Sequence, residues 1–309
     1  SRGLGDVYKR QGKGRTFQRP FVSIEDVKTL LEEQNYIPEK EICIATKLSL
    51  DLKKPILLEG EAGVGKTELA KTLAKILDTE LIRLQCYEGL DQSSALYEWN
   101  YSRQILEVRL SELANHTKEE VEKNIFSEKF LLDRPLLKAV KNTTTKPPVL
   151  LIDEIDRADE EFEAFLLEIL SDYQVTIPEL GTIKAVEPPI VILTSNRTRD
   201  LNNALKRRCL YLWIEYPSLS KEIKIIQKKV PNLSETLTEK VVKTIQLLRG
   251  TEIRKKPGIS ETIDWATALF ALEIDSLTIE VVNETAITFL KNRDDLDLLK
   301  DIDLSDILN

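Results

Sequence analysis

Residues 60–67 read GEAGVGKT, a glycine-rich run closed by a lysine and a hydroxyl residue. The run fits G-x-x-x-x-G-K-[ST], and each residue type in it has a task in holding phosphate. Gly60, Gly63 and Gly65 let the backbone curl so that its N–H groups turn towards phosphate oxygens. A helix starting at the loop would aim its positive dipole end at the same anion. Lys66 reaches β- and γ-phosphates, and the Thr67 hydroxyl suits Mg²⁺. The expected nucleotide-binding set is Gly60, Glu61, Ala62, Gly63, Val64, Gly65, Lys66, Thr67 and Glu68. A plain glycine turn between strand and helix gives no reason for Lys and Thr to stand together at the helix start.

Two further runs carry polar groups at the end of an apolar strand. VLLIDEID places Asp153 and Glu154 after an uninterrupted apolar stretch. The carboxyl ends of parallel strands border the ligand crevice of α/β sheets. Asp153 is there a ligand for Mg²⁺ or its water shell, and Glu154 a base for the attacking water. Two acids could also simply open a solvated loop or a helix. VILTSN brings Asn196 to a third strand end, where it could orient water against a γ-phosphate or serve as a turn residue. Lys206, Arg207 and Arg208 form a basic run with no acid beside them.

The elements that would position these groups follow from periodicity. SIEDVKTLLEEQ is helical, with Ile24, Val27, Leu30 and Leu31 on one face and Ser23 and Asp26 as its start. A second helix is expected over 39–50, then the strand KPILLEG. Leu69, Ala70, Leu73, Ala74 and Leu77 give the helix after Lys66 its inner face. ELIRLQ, PPVLLID and PPIVILTSN read as strands, and ADEEFEAFLLEIL as a helix. Helical stretches are expected over 102–113 and 118–124, and a hairpin in YQVTIPELGTIKAV around Pro178 and Gly181. Apolar strands alternating with helices predict a three-layer α/β domain with a parallel sheet. Strand signal fades beyond Pro217. Leu237, Val241, Ile245 and Leu248 share a helical face, with Gly250 as the stop. The predicted organisation is a disordered tail over 1–20, an α/β domain over 21–216 and a small all-helical domain over 217–309.

Composition narrows the partners. The 309 residues carry a net charge of −8, with 42% hydrophobic and 31% charged residues, the profile of a globular protein. The acidic balance argues against a broad duplex-DNA footprint. Apolar runs are too short to span a bilayer, and no secretory signal is visible. Three widely spaced cysteines, Cys43, Cys86 and Cys209, predict buried thiols in a reducing, cytoplasmic setting. His116, the one histidine, reads as a surface residue. There is no methionine, and SRGLGDVYKRQGKGRT reads as a loose, non-native tail.

Taken in order, these motifs resemble the AAA+ ATPases, and within them the MoxR family. CYEGLDQSSALYEWNYSRQ, ALKRRCLY and KKPGISETIDWA resemble its CoxD-type branch. The resemblance implies an AAA+ P-loop NTPase domain followed by a helical lid. It makes residues 60–67 the Walker A loop, Asp153 and Glu154 the Walker B pair, and Asn196 sensor 1. Arg207 and Arg208 match the arginine-finger position, Arg208 being the first choice. An arginine supplied in trans is worth about 10³- to 10⁵-fold in GTPases. The family also implies ATP, Mg²⁺ and a homo-oligomeric ring, a hexamer. Head-to-tail contacts of that kind close into rings. One departure stands out: Thr262 occupies the place of the lid's sensor 2 arginine, with Arg254, Lys255 and Lys256 just upstream.

By analogy of branch, the function is that of a chaperone-like remodeller in metalloenzyme maturation. Its expected partners are a von Willebrand A-domain protein and a client of the molybdenum hydroxylase or carbon monoxide dehydrogenase type. A nucleic-acid motor or restriction-type subunit is the competing reading, and a low-turnover nucleotide-gated scaffold a third. Trp99 with Tyr97 and Tyr101 reads as packing or as a client-binding patch, and Trp265 as lid core. Asp156 and Arg157 read as an interface ion pair or as helix-start charges.

Overall fold

A computed structural model of the chain describes residues 21–113, 117–141 and 146–308. The expected tail over 1–20 and His116 lie outside them. Helices α1 (Ile24–Glu33) and α2 (Lys40–Leu52) precede strand β1 (Ile56–Gly60), helix α3 (Lys66–Ile76) and strand β2 (Leu81–Gln85). Then come α4 (Gln92–Ala95), β3 (Tyr97–Trp99), α5 (Tyr101–Leu113), α6 (Lys118–Ile125), β4 (Leu131–Asp133) and α7 (Pro135–Val140). Strand β5 (Val149–Asp153) leads to α8 (Glu160–Asp172), β6 (Gln174–Ile177), β7 (Gly181–Lys184), β8 (Ile190–Ser195), α9 (Asn203–Arg208) and β9 (Leu210–Ile214). The rest is helical: α10 (Leu219–Lys229), α11 (Glu235–Arg249), α12 (Ile259–Ala271), α13 (Ile279–Thr285), α14 (Arg293–Leu299) and α15 (Ser305–Leu308).

Five strands form one sheet in the order β2-β5-β8-β1-β9, and every pairing in it is parallel. Successive residues of a strand face opposite sides, so an apolar run fills two cores at once. Leu57, Leu150, Ile152, Val191 and Leu193 enter the core shared with α7 and α8. Ile56, Leu58, Val149, Leu151, Ile190 and Ile192 enter the one shared with α1, α2 and α3. The three central strands β1, β5 and β8 are buried at every position. The edge strands β2 and β9 alternate, because only one side of each is covered by a neighbour. That alternation puts Arg83 and Gln85 of β2 on the exposed positions.

Local chemistry explains several boundaries. Ser23 and Asp26 form the expected capping box. β6 and β7 pair antiparallel as the expected hairpin, Ile177 opposite Gly181. Between β2 and β5, a three-residue antiparallel pair, β3 with β4, joins the expected helices. Strands so short leave no periodic trace in sequence. Trp99 is buried there, edge-on to Tyr97 and Phe126, whereas Tyr101 is exposed. The aromatic trio is therefore two packed rings and one free one.

The C-terminal helices have their own core, with Val241, Ile245, Leu248, Trp265 and Phe289 fully enclosed. Trp265 lies 4.3 Å from Phe289 between ring centroids and donates its indole N–H to Thr285. Helix α11 ends at Gly250 as expected, though Gly250 is right-handed there.

Candidate nucleotide-binding and hydrolytic site

Strand β1 delivers the glycine loop against β9. A Cβ at Gly60 would lie 2.1 Å from the Ile214 carbonyl oxygen, so the strand end accepts no side chain. Gly63 and Gly65 have φ of +79° and +92°, the left-handed region that disfavours other residues. Gly65 is the N-cap of α3, and Lys66 is that helix's first residue. The Lys66 ammonium is 7% exposed and donates to the Gly60 and Glu61 carbonyls at 2.8 and 2.7 Å. Burial pushes its pKa down, against the pull of Asp156, Asp153, Glu154 and Glu61, and the net result lies below the ordinary lysine value.

Asp153, the last residue of β5, is 4% exposed and fully engaged. Its Oδ1 accepts from the Thr67 hydroxyl at 3.3 Å and from the Thr194 hydroxyl. Its Oδ2 accepts from Arg83 through both Nε, at 3.1 Å, and Nη2. Thr67 and Asp153 therefore bring two hard oxygen donors together at the loop. That donor set fits Mg²⁺, which takes one or two carboxylates and completes its shell with water and phosphate. Glu154 has φ 56° and ψ 50°, an uncommon conformation for a residue with a Cβ. Its N–H donates to Thr194 at 2.9 Å, and its carboxylate lies 3.4 Å from Arg157 Nη1. Thr194 thus holds the Asp153 carboxylate and the Glu154 backbone N–H together.

Asn196 follows β8 and is half-buried, its N–H donating to Asp156 Oδ1 at 3.2 Å. Thr198 donates to the same carboxylate from its N–H, at 2.9 Å, and its hydroxyl, at 2.7 Å. Of the two readings of Asp156 and Arg157, helix-start charges fit their place in the short helical turn Ile155–Arg157. Asp156 is buried and holds the 196–198 loop, while Arg157 is exposed. Burial pushes the Asp156 carboxyl up, but the bonds from Thr198 and Asn196 outweigh it and hold it below the usual carboxylate value. Cys86 lies near these acids, and burial raises its thiol to about 12. It is a neutral packing group. Cys43 is buried as well, whereas Cys209 is only partly covered.

Arg207 and Arg208 end α9 and are exposed. Arg208 Nη1 donates to the Leu167 carbonyl of α8 at 3.0 Å. Among the described residues neither arginine has a carboxylate within ion-pair range or a hydrogen bond to residues 60–67. Sheet register gives the reason. Leu210, just past the arginines, pairs with Ile56, whereas the loop leaves from Gly60 opposite Ile214. Four strand steps separate the two levels, about 13 Å.

Several site residues carry no signature in sequence. A cavity of about 310 Å³ adjoins Val64 and Gly65 and is walled by Tyr36, Ile37, Ile214 and Ile263. Its apolar walls suit a planar base, but aliphatic residues from four separate segments announce nothing individually. Tyr216 donates its hydroxyl to the Ala62 carbonyl at 3.1 Å, and the Ile259 N–H donates to the Gly63 carbonyl at 2.8 Å. The helical part therefore touches the loop backbone directly. Thr262 is fully buried and donates to Glu222. Arg249 forks onto the same carboxylate at 2.7 and 2.8 Å and lies 4.4 Å from the Tyr216 ring centroid. Arg254 pairs instead with Asp294 at the surface.

Sheet, glycine loop and paired acids together define the class: a P-loop nucleoside-triphosphatase of the AAA+ type. Residues 55–209, half of the chain, match the AAA domain of the dynein-related subfamily, and the chain belongs to that family. Its domain is a nucleotide-hydrolysing one. Uncharacterized proteins of Staphylococcus aureus strains bovine RF122 / ET3-1 and USA300 are 33% identical over 177 residues. The match covers 55% of this chain and 59% of each relative. Among solved structures, a point mutant of Thermotoga maritima RuvB is 19% identical with a TM-score of 0.48, covering 86% of this chain and 70% of that one. A Cytophaga hutchinsonii chain provisionally assigned as an ATPase is 18% identical with a TM-score of 0.46, covering 92% and 94%. Likeness at this level says nothing of substrate or partner. Among the described residues no helix is long and apolar enough to cross a membrane.

Proposed function

We propose that the chain is one subunit of an ATP-hydrolysing ring whose pockets are each completed by the neighbouring subunit. The observation that carries this reading is strand polarity. The loop of residues 60–67 leaves the carboxyl end of β1, while Arg207 and Arg208 stand at the amino end of β9 beside it. Arginines without a counter-charge among the described residues, and about 13 Å of strand away from their own loop, suit a phosphoryl group on another molecule. In this reading the loop N–H groups and Lys66 bind the phosphates. Thr67 and Asp153 would hold Mg²⁺, which when bound would offset negative charge on the phosphates. Glu154 takes the proton of the attacking water, and Asn196 orients that water. Arg208, or Arg207 beside it, stabilises the charge that develops in the neighbour's pocket.

The working role is chaperone-like remodelling. What supports it is the likeness of CYEGLDQSSALYEWNYSRQ and KKPGISETIDWA to the CoxD-type branch of the MoxR family. On that likeness the partners are a von Willebrand A-domain protein and a metalloenzyme client, the ring is a hexamer and the setting is cytoplasmic. The helices from Leu219 onward act as the lid, with the boundary near residue 216.

Two variants test the chemistry. Lys66→Ala should abolish Mg-ATP binding in calorimetry. Glu154→Gln should bind normally yet turn over at least about a hundredfold more slowly, the lower end of a general base's contribution. Full phosphate release by Glu154→Gln would remove Glu154 as the base.

A further inference from the structure

Arg83 takes no part in the roles given above, yet two of its nitrogens bond the proposed cation ligand. It stands on the edge strand β2, whose Gln85 pairs in register with Asp153. Its Nε and Nη2 both converge on Asp153 Oδ2. The Asp153 side chain is 6% exposed, and that of Arg83 is 53% exposed. The oxygen turned to the phosphate loop is the other one, Oδ1, which meets Thr67. Arg83 Nη2 also donates to Gln85 Oε1 at 2.7 Å. The guanidinium thus has a second acceptor on its own strand and open space beside it.

We propose that Arg83 is a removable counter-charge, a positioning residue that neutralises Asp153 until a divalent cation arrives and thereby sets the cation concentration at which the nucleotide complex forms. The inference rests on the nucleotide reading above. A buried carboxylate needs a compensating charge, and Arg83 supplies it from the side away from Thr67. A cation entering between Thr67 and Asp153 brings its own two charges. It then repels the guanidinium, which can shift onto Gln85 and solvent without unpacking the core. The same half-exposure that lets it leave limits its contribution to fold stability. Arg83 therefore opposes cation binding. The guanidinium and an entering cation compete for the same carboxylate.

The test uses the intact chain, ADP as nucleotide and Mn²⁺ as probe. Mn²⁺ binding to the one-to-one ADP complex is followed by loss of the free-ion EPR signal. ADP affinity in a chelator is followed by calorimetry. Arg83→Gln should lower half-saturating Mn²⁺ about tenfold, the size of an ordinary coupling between two ligands of one site, leaving chelator-condition ADP affinity close to the parent's. Arg83→Lys, which keeps the charge, should stay close to the parent. In the unsubstituted protein, the Arg83 Nε–H resonance should exchange slowly with solvent in chelator and fast once Mg²⁺ and ADP are present. Half-saturation that is unchanged or higher in Arg83→Gln, or a protected Nε–H in the cation complex, would overturn the proposal. Failure of the unsubstituted chain to bind ADP would instead sink the nucleotide reading itself.

Discussion

Arg249→Met should loosen the C-terminal helices. Glu222 is fully buried, and its carboxylate accepts two bonds from Arg249, one from Thr262 at 2.9 Å and one from Gln246 at 3.2 Å. Removing the guanidinium leaves the two neutral donors but no opposite charge. Breaking such a pair from one side costs about 3–5 kcal/mol. The Pro257 carbonyl also loses its Arg249 Nε donor at 2.7 Å, about 1 kcal/mol more. The contact with the Tyr216 ring adds about 0.5–2 kcal/mol. The loss is comparable to the total stability of an ordinary domain, about 5–15 kcal/mol. Native-state hydrogen exchange, resolved to peptides of α11 and α12, isolates the opening of these helices. The comparison is the double variant Glu222→Met with Arg249→Met, which removes both charges and should recover most of the loss. A loss below about 1 kcal/mol in the single variant would refute the argument that this pair clamps α10, α11 and α12 together. So would a double variant no better than the single.

Three further outcomes are expected. Arg208→Ala should keep nucleotide affinity and lose hydrolysis, and mixing it with Lys66→Ala should restore part of the activity at mixed interfaces. Assembled mixtures that show no rescue count against action in trans. At Gly258, a Cβ would meet the Gly63 Cα at 2.6 Å and its carbonyl oxygen at 2.8 Å. Gly258→Ala should therefore lift α12 off the loop, with a loss of about 1–3 kcal/mol and of exchange protection at the Ile259 amide; an Ile259 amide as protected as in the parent would show that the contact yields freely. Asp156→Asn should destabilise by an amount that depends on pH in one direction. The folded carboxyl titrates below its ordinary 3.8, so its contribution is fully present above that value and fades as pH falls through the folded-state value. A deficit that instead shrinks between pH 8 and 6 would point to another group.

Much of the sheet was legible because its central strands are buried on both faces. VLLID and IVILTS have no polar residue until the strand end, and that is also where the acids and Asn196 stand. The glycine loop was legible for a related reason: its φ values and close approaches restrict the residues it admits. Arg83 was not legible. In LIRLQ an arginine at an exposed position of an edge strand looks like any solvated charge, and its partner lies 70 residues away. The inward turn of Asp156 was not legible, because a carboxylate at a helix start has the same local sequence whether it faces solvent or turns inward to a loop.

Sequence alone determined which backbone could sit at phosphate distance, which strands were central, and where the acids would emerge. Those follow from sterics and burial acting along a single segment. Tertiary structure alone decided what each charge faces. It set Arg83 on Asp153, Arg249 and Thr262 on Glu222, and Tyr216 on the Ala62 carbonyl. It also put Arg207 and Arg208 at the far end of β9 from the loop. A charge's partner is chosen by the register of strands and the packing of helices distant in sequence, and no local pattern records either.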